Sequence, residues 1–157
     1  MIDEARRDAL RQGGGATVMA LALAAGVFRT ADAQAAWNKA AFEVKGSLDG
    51  VAQALGGAKP IESADVVLNA PDIAENGAVV PVGATSKLAK TEEISILVEK
   101  NPNALAALFQ LTAASEPTVA TRVKMGQSSD VYALVKADGK YYFAKKEVKV
   151  TLGGCGG

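Results

Sequence analysis

Histidine is absent from this 157-residue chain, and cysteine occurs once, at Cys155. The first absence removes Ser-His-Asp and Cys-His catalysis, histidine metal sites and c-type haem attachment together. The second removes any internal disulfide and any Cys-x-x-Cys redox pair, so the thiol is free, blocked or bonded to another molecule. No phosphate-binding glycine loop stands before a helix. An excess of either charge is missing as well, with 17 Lys and Arg against 17 Asp and Glu. No net field therefore draws in nucleic acid or an anionic membrane surface. No apolar run reaches the roughly 18 residues of a bilayer span, and residues 34–157 contain no repeat, linker or low-complexity block.

What is present begins with an address. "MIDEARRDALRQ" carries the pair Arg6-Arg7, "GGGATVMALALAAGVF" is moderately apolar, and Ala31 and Ala33 offer small residues for cleavage before Gln34. Residues 1–33 thus read as an export signal of twin-arginine type, with the general secretory route as the alternative. The expected location is the periplasm. Removing residues 1–33 from 157 leaves 124, enough for one domain with its own core.

Between Ala35 and Leu55, the apolar positions Trp37, Ala41, Val44, Leu48, Val51 and Leu55 are spaced by three and four, which predicts one helix ended by Gly56-Gly57 and Pro60. Its apolar stripe is expected to pack on the domain's own sheet. After Pro60 the texture changes to short β-branched runs separated by turn residues. Strands are predicted near 64–70, 77–85, 93–100, 104–112, 119–126, 130–137 and 140–151, the last two joined as a hairpin through Asp138-Gly139. The expected fold is mainly β: an immunoglobulin-like antiparallel β-sandwich over residues 34–152, with an N-terminal helix and, at 153–157, a flexible C-terminal glycine-cysteine arm.

Candidate chemistry is sparse. Glu92 with Glu93 and Asp72 with Glu75 are conceivable acid/base pairs, but adjacent strand residues point to opposite faces, and these carboxylates read as solvated surface. Lys146 and its alternate neighbours are expected on an exposed face. In the functional alternative, Lys145, Lys146 and Lys149 guide small anions or an acidic partner towards the tail.

The tail itself is "GGCGG". Gly153, Gly154, Gly156 and Gly157 surround Cys155 without Cβ atoms, so the segment is expected to be thin and mobile. The nearby α-carboxylate is expected to oppose thiolate formation and to keep the thiol near or above the ordinary value of about 8.5. That disfavours a solitary nucleophile and favours a handle activated inside another protein's active site. A plain crosslinking role, in which an exported adhesion or assembly module pairs two copies through Cys155, is the competing class. A ubiquitin-like carrier activating its terminal Gly-Gly is a third, and it would need no cysteine.

"VKVTLGGCGG", "APDIAENGAVVPV", "KNPNALAALFQL" and "TRVKMGQSSDVYALV" resemble the SoxY family, the sulfur-carrier subunits of the bacterial SoxYZ complex. The resemblance implies a periplasmic, non-enzymatic carrier of thiosulfate oxidation that holds sulfur intermediates on the cysteine matching Cys155. It implies no cofactor on the carrier itself. The implied partners are SoxZ as heterodimer subunit, the haem enzyme SoxXA that conjugates thiosulfate to the cysteine, the manganese hydrolase SoxB that releases sulfate, and SoxCD where present.

Overall fold

The computed structural model describes residues 38–151. The expected export signal at 1–33 lies outside the described residues, and so does the arm at 153–157 with Cys155.

Helix α1 spans Lys39–Phe42 and α2 spans Leu48–Ala54. The single helix expected over 35–55 is therefore corrected to two short ones, and its first residues fall outside the described part. The cause is local. Gly46 takes a left-handed φ of 54°, and Ser47 is extended and caps α2 by accepting from the Gly50 N–H at 3.0 Å. The break frees the Val44 carbonyl to accept from the Ala104 N–H at 2.9 Å. At the far end Gly56 is again left-handed, at φ 84°. The Gly56 and Gly57 N–H groups donate to Gln53 and Ala52, both at 2.9 Å, the two bonds of a Schellman stop.

Nine strands follow among the described residues: β1 (Ile61–Glu62), β2 (Val66–Asn69), β3 (Ile73–Ala74), β4 (Val80–Ser86), β5 (Thr91–Val98), β6 (Leu105–Gln110), β7 (Thr118–Val123), β8 (Ser129–Ala137) and β9 (Lys140–Val150). The larger sheet runs β1-β9-β8-β5-β6, with β3 also on β9, and the smaller runs β2-β4-β7. Seven strands match the expected ones. The two short additions, β1 and β3, both pair parallel to β9, which amends the purely antiparallel reading. Two-residue strands carry no period that a sequence pattern can display. The Asp138-Gly139 hairpin forms as expected, with both residues at positive φ and Ala137 paired to Lys140.

The two sheets close on a core in which Val80, Val82 and Ala84 of β4 meet Ile94, Ile96 and Val98 of β5 and Val131, Ala133 and Val135 of β8. The other face of the larger sheet presents Leu97, Tyr132, Leu134 and Tyr141 to Ala41, Val51 and Ala52 of the helices. The helical stripe thus packs on the domain's own sheet. Because β5 and β8 are covered on both faces, their sequences "ISILV" and "VYALV" are buried without alternation. The buried serines are satisfied: Ser86 Oγ lies 2.7 Å from Thr91 Oγ1, Ser95 Oγ donates to Glu93 at 3.5 Å, and Ser129 Oγ accepts from the Lys100 N–H at 3.0 Å.

Candidate functional site: the base of the C-terminal segment

The thiol predicted as the site follows β9, so the geometry that matters is where β9 ends. Thr151 is the last described residue, and Cys155 stands four residues further along the sequence, at most about 14 Å of extended chain.

The end of β9 is held from both sides. On one side, β3 pairs Ile73 with Lys149 and Ala74 with Val150. The Lys149 N–H donates to Asp72 O at 2.9 Å, and the Thr151 N–H to Ala74 O at 3.1 Å. The Thr151 hydroxyl lies 3.3 Å from Glu75 O and 3.4 Å from Ala74 O. On the other side, the Val150 N–H donates to Ser128 Oγ at 2.9 Å, and Val148 pairs with Ser129. A strand end bonded on both edges is a fixed base, since its backbone donors are already satisfied by protein groups.

Three separate stretches of sequence build this clamp. Residues 70–82 supply β3 and the turn after it, where Asn76 Oδ1 accepts from the Ala78 N–H at 2.9 Å. Gly77 closes against residues 121–135: its carbonyl accepts from the Met125 N–H at 2.7 Å. A Cβ at Gly77 would overlap the Met125 carbonyl oxygen and stand 2.9 Å from Val150 Cγ1, so only glycine fits there. Residues 100–111 tie in through Lys100 on Ser129 and Asn101 Nδ2, which donates to Lys124 O at 2.7 Å. Sequence reading singled out these stretches without seeing that they converge; Ser128, Thr151 and Ala74 escaped it because their roles depend on partners far along the chain.

The predicted lysines are distributed differently from expectation. Lys146 is not a free surface cation: its ammonium donates to Ala70 O at 2.6 Å and pairs with Asp72 at 3.0 Å. The reason is that its side chain lies on the sandwich-facing side of β9, with Ala144 and Val148. Lys145 sits 4.0 Å from Asp130, and Lys149 is exposed at the clamp. Of the carboxylates, Asp72 and Glu75 are exposed as expected. Glu92 pairs with Lys136 at 3.4 Å. Glu93 departs from expectation: it is half-buried, and burial pushes its carboxyl above the usual range, with Lys136 and the Ser95 hydroxyl pulling it back and Glu92 adding to the rise. It faces the helix side at the row Glu93–Lys136–Tyr141 across β5, β8 and β9, away from the clamp.

An open trough of about 1040 Å³ lies along the smaller sheet, lined by Gly83, Thr85, Thr118, Ala120, Arg122 and Lys146 among others, with no carboxylate in its wall. Among the described residues no cluster of three or more acids or thiols could hold a metal ion, and no helix is long and apolar enough to cross a membrane.

Fold and clamp together define a class: a small immunoglobulin-like β-sandwich that secures its last strand on both edges directly before a short C-terminal thiol segment. The profile of the family described as "Sulfur oxidation protein SoxY" matches residues 51–155, from α2 through the cysteine, and the chain belongs to that family. Among solved structures it is similar to the sulfur carrier protein SoxY from Chlorobium limicola f thiosulfatophilum, with 37% identity over 64% of this chain and 94% of that one and a TM-score of 0.57. Two single-substitution variants of a superoxide reductase (neelaredoxin) from Ignicoccus hospitalis also match, each at 19% identity. They cover 55% and 63% of this chain and 79% and 87% of theirs, with TM-scores of 0.48 and 0.49, too distant to inform function. No curated protein matches the chain by sequence. The family and the solved relative establish a sulfur-carrier role in sulfur oxidation, exercised with partners of the Sox system.

Proposed function

We propose that the protein is a periplasmic covalent carrier of thiosulfate oxidation, with Cys155 as the attachment point. The observation that carries this reading is the clamp at Val150 and Thr151, which supports a fixed pivot four residues before the only thiol. Loading joins the cysteine sulfur to the sulfane sulfur of thiosulfate. The thiol proton leaves and two electrons pass to the haem partner, SoxXA, giving a cysteine S-thiosulfonate. Water then attacks the terminal sulfone on SoxB; the S–S bond to it breaks, sulfate departs, and a persulfide remains on Cys155. SoxCD, where present, oxidises that sulfane sulfur. The carrier is a substrate of each enzyme and catalyses none of these steps. SoxZ is its heterodimer subunit, and the arginine pair at Arg6-Arg7 supports export of the folded complex.

The test is the intact mass of the exported protein, purified without reductant from cells grown on thiosulfate. The expected result is an adduct on Cys155 in sulfur or sulfur-plus-oxygen increments, released by a thiol reductant. A covalent homodimer that reductant halves would instead favour the crosslinking module.

A further inference from the structure

Among the described residues three large apolar side chains stand more than half exposed: Ile61, Ile73 and Val79. A single exposed apolar residue is common and needs no explanation. Two of these three, however, flank the end of β9. Ile73 pairs with Lys149, and the Ala74 carbonyl next to it accepts from the Thr151 N–H. Val79 follows two residues after Gly77, which packs against Val150 and Met125. Ile61 instead pairs with Tyr142, seven residues and about 23 Å back along β9 from Lys149.

The two are carried by different sheets. Val148 and Val150 pack into the core between the sheets, so Lys149 and its partner Ile73 project from the outer face of the larger one. Val79 stands at the head of β4, in the smaller sheet. The exposed charges beside them are of both signs, Lys124 and Lys149 with Asp72 and Glu75. No field of one sign therefore selects what meets this end of the domain, and the apolar side chains supply the attraction, with the charges as a polar rim.

We infer that Ile73 and Val79 form a docking collar for the enzymes that act on Cys155, each seating the apolar rim of its active-site entrance on this end of the sandwich. The inference rests on the carrier reading. A group that reacts with Cys155 must come within about 14 Å of Thr151, so the protein surface around that group meets the residues beside Thr151 at every visit. A permanent subunit placed over the same residues would stand between the tail and its enzymes. The contact must also let go, because several enzymes use one tail in turn. Two half-exposed side chains suit a small, transient interface better than a lasting one.

The test uses the exported protein with any subunit it retains, loaded chemically. The Cys155 thiolate attacks the central S–S bond of tetrathionate; thiosulfate leaves and a cysteine S-thiosulfonate forms, without the haem partner. Sulfate release by the hydrolase SoxB is then followed against carrier concentration. Ile73→Thr and Val79→Thr keep β-branched side chains and so the local backbone preference, while removing apolar surface; Ile61→Thr is the control. The Ile73→Thr, Val79→Thr double variant should raise KM about tenfold with kcat unchanged, the mark of lost binding. Ile61→Thr should leave both constants alone, and tetrathionate should load every variant at the native rate. An unchanged KM in the double variant, an equal rise in Ile61→Thr, a fall in kcat alone, or slower loading by tetrathionate would each overturn the collar while leaving the carrier reading in place. A native protein that loads yet yields no sulfate would overturn the carrier reading, and the collar with it.

Discussion

The Thr151 N–H donates to the Ala74 carbonyl at 3.1 Å, closing a loop of 77 residues onto the last described position of the chain. This bond, with its neighbours on Asp72 and Ser128, fixes the point at which the folded domain hands over to the segment bearing Cys155. A carrier needs such a boundary: reach is set by the length of chain beyond the pivot, and a frayed strand end would blur it.

Gly77→Ala tests the clamp. The added methyl clashes with both the Met125 carbonyl and the Val150 side chain, an overpacking that costs about 1–3 kcal/mol. Thermal melts should show a lower Tm, and hydrogen exchange at the Val150 and Thr151 amides should accelerate more than at core amides of β8. An unchanged Tm together with unchanged exchange would show that Gly77 holds nothing.

Cys155→Ser should leave the melting curve as it is and abolish sulfur loading, read as loss of every adduct from the intact mass. Deleting Gly154 should keep loading chemistry possible yet slow turnover by the partner enzymes, through shorter reach. Equal turnover for the deleted and native arms would count against a length-dependent arm.

Glu93→Gln carries a pH signature. Burial raises the Glu93 carboxyl above its usual value in the folded protein. The fold therefore favours its protonated form, and that contribution is complete below the unfolded pKa of about 4.3 and lost as pH rises through the folded one. The glutamine variant, which stays neutral, should melt higher than the native protein at pH 7 and nearly level with it at pH 4. A native advantage at pH 7 would mean that the attraction of Lys136 outweighs burial.

Tyr141 donates its hydroxyl to the Leu55 carbonyl at 3.3 Å, and burial, reinforced by the charges of Glu93 and Glu92, pushes its phenol up to about 12. An ultraviolet titration should find one of the three tyrosines ionising about there, and Tyr141→Phe should remove that phase. With the folded pKa raised, this group's contribution is intact below about 10 and is lost above it, so the native protein should weaken in that alkaline window.

Leu134→Ala opens a cavity beneath the helices, where Leu134 is fully buried with Val51 and Leu97. A loss of about 2–5 kcal/mol is expected. Ser47→Ala, which removes only the cap of α2, should cost about 1 kcal/mol. Denaturant titrations that fail to separate the two would contradict the three-layer packing.

Much of the fold was legible in the sequence because its signals are local. Asp138-Gly139 demands a tight hairpin wherever it falls between strands, and the β-branched runs from Val66 to Val150 announce extended chain. The helix was legible only in part. The spacing from Ala41 to Leu55 does mark residues that pack on one surface, since Ala41, Val44, Leu48, Val51 and Leu55 all join the helix-side core, but Gly46 and the Ser47 cap interrupt the helix between them. Lys146 and Glu93 were misread for a related reason: alternation says which residues share a face, and the packing of the second layer decides whether that face is wet.

The chain by itself determined the strand-rich architecture, the hairpin, the loss of histidine and disulfide chemistry, and the placement of one thiol among four glycines at the end. Each of these follows from residue type or from spacings of a few positions. Only the tertiary structure decided that residues 70–77 return to lie parallel to β9, that Ser128 closes its other edge, and that Lys146 is spent on Asp72 and Ala70. Those are pairings between groups tens of residues apart. Their free energy comes from backbone donors and charges finding partners across the sandwich, and no local pattern records which partner is found.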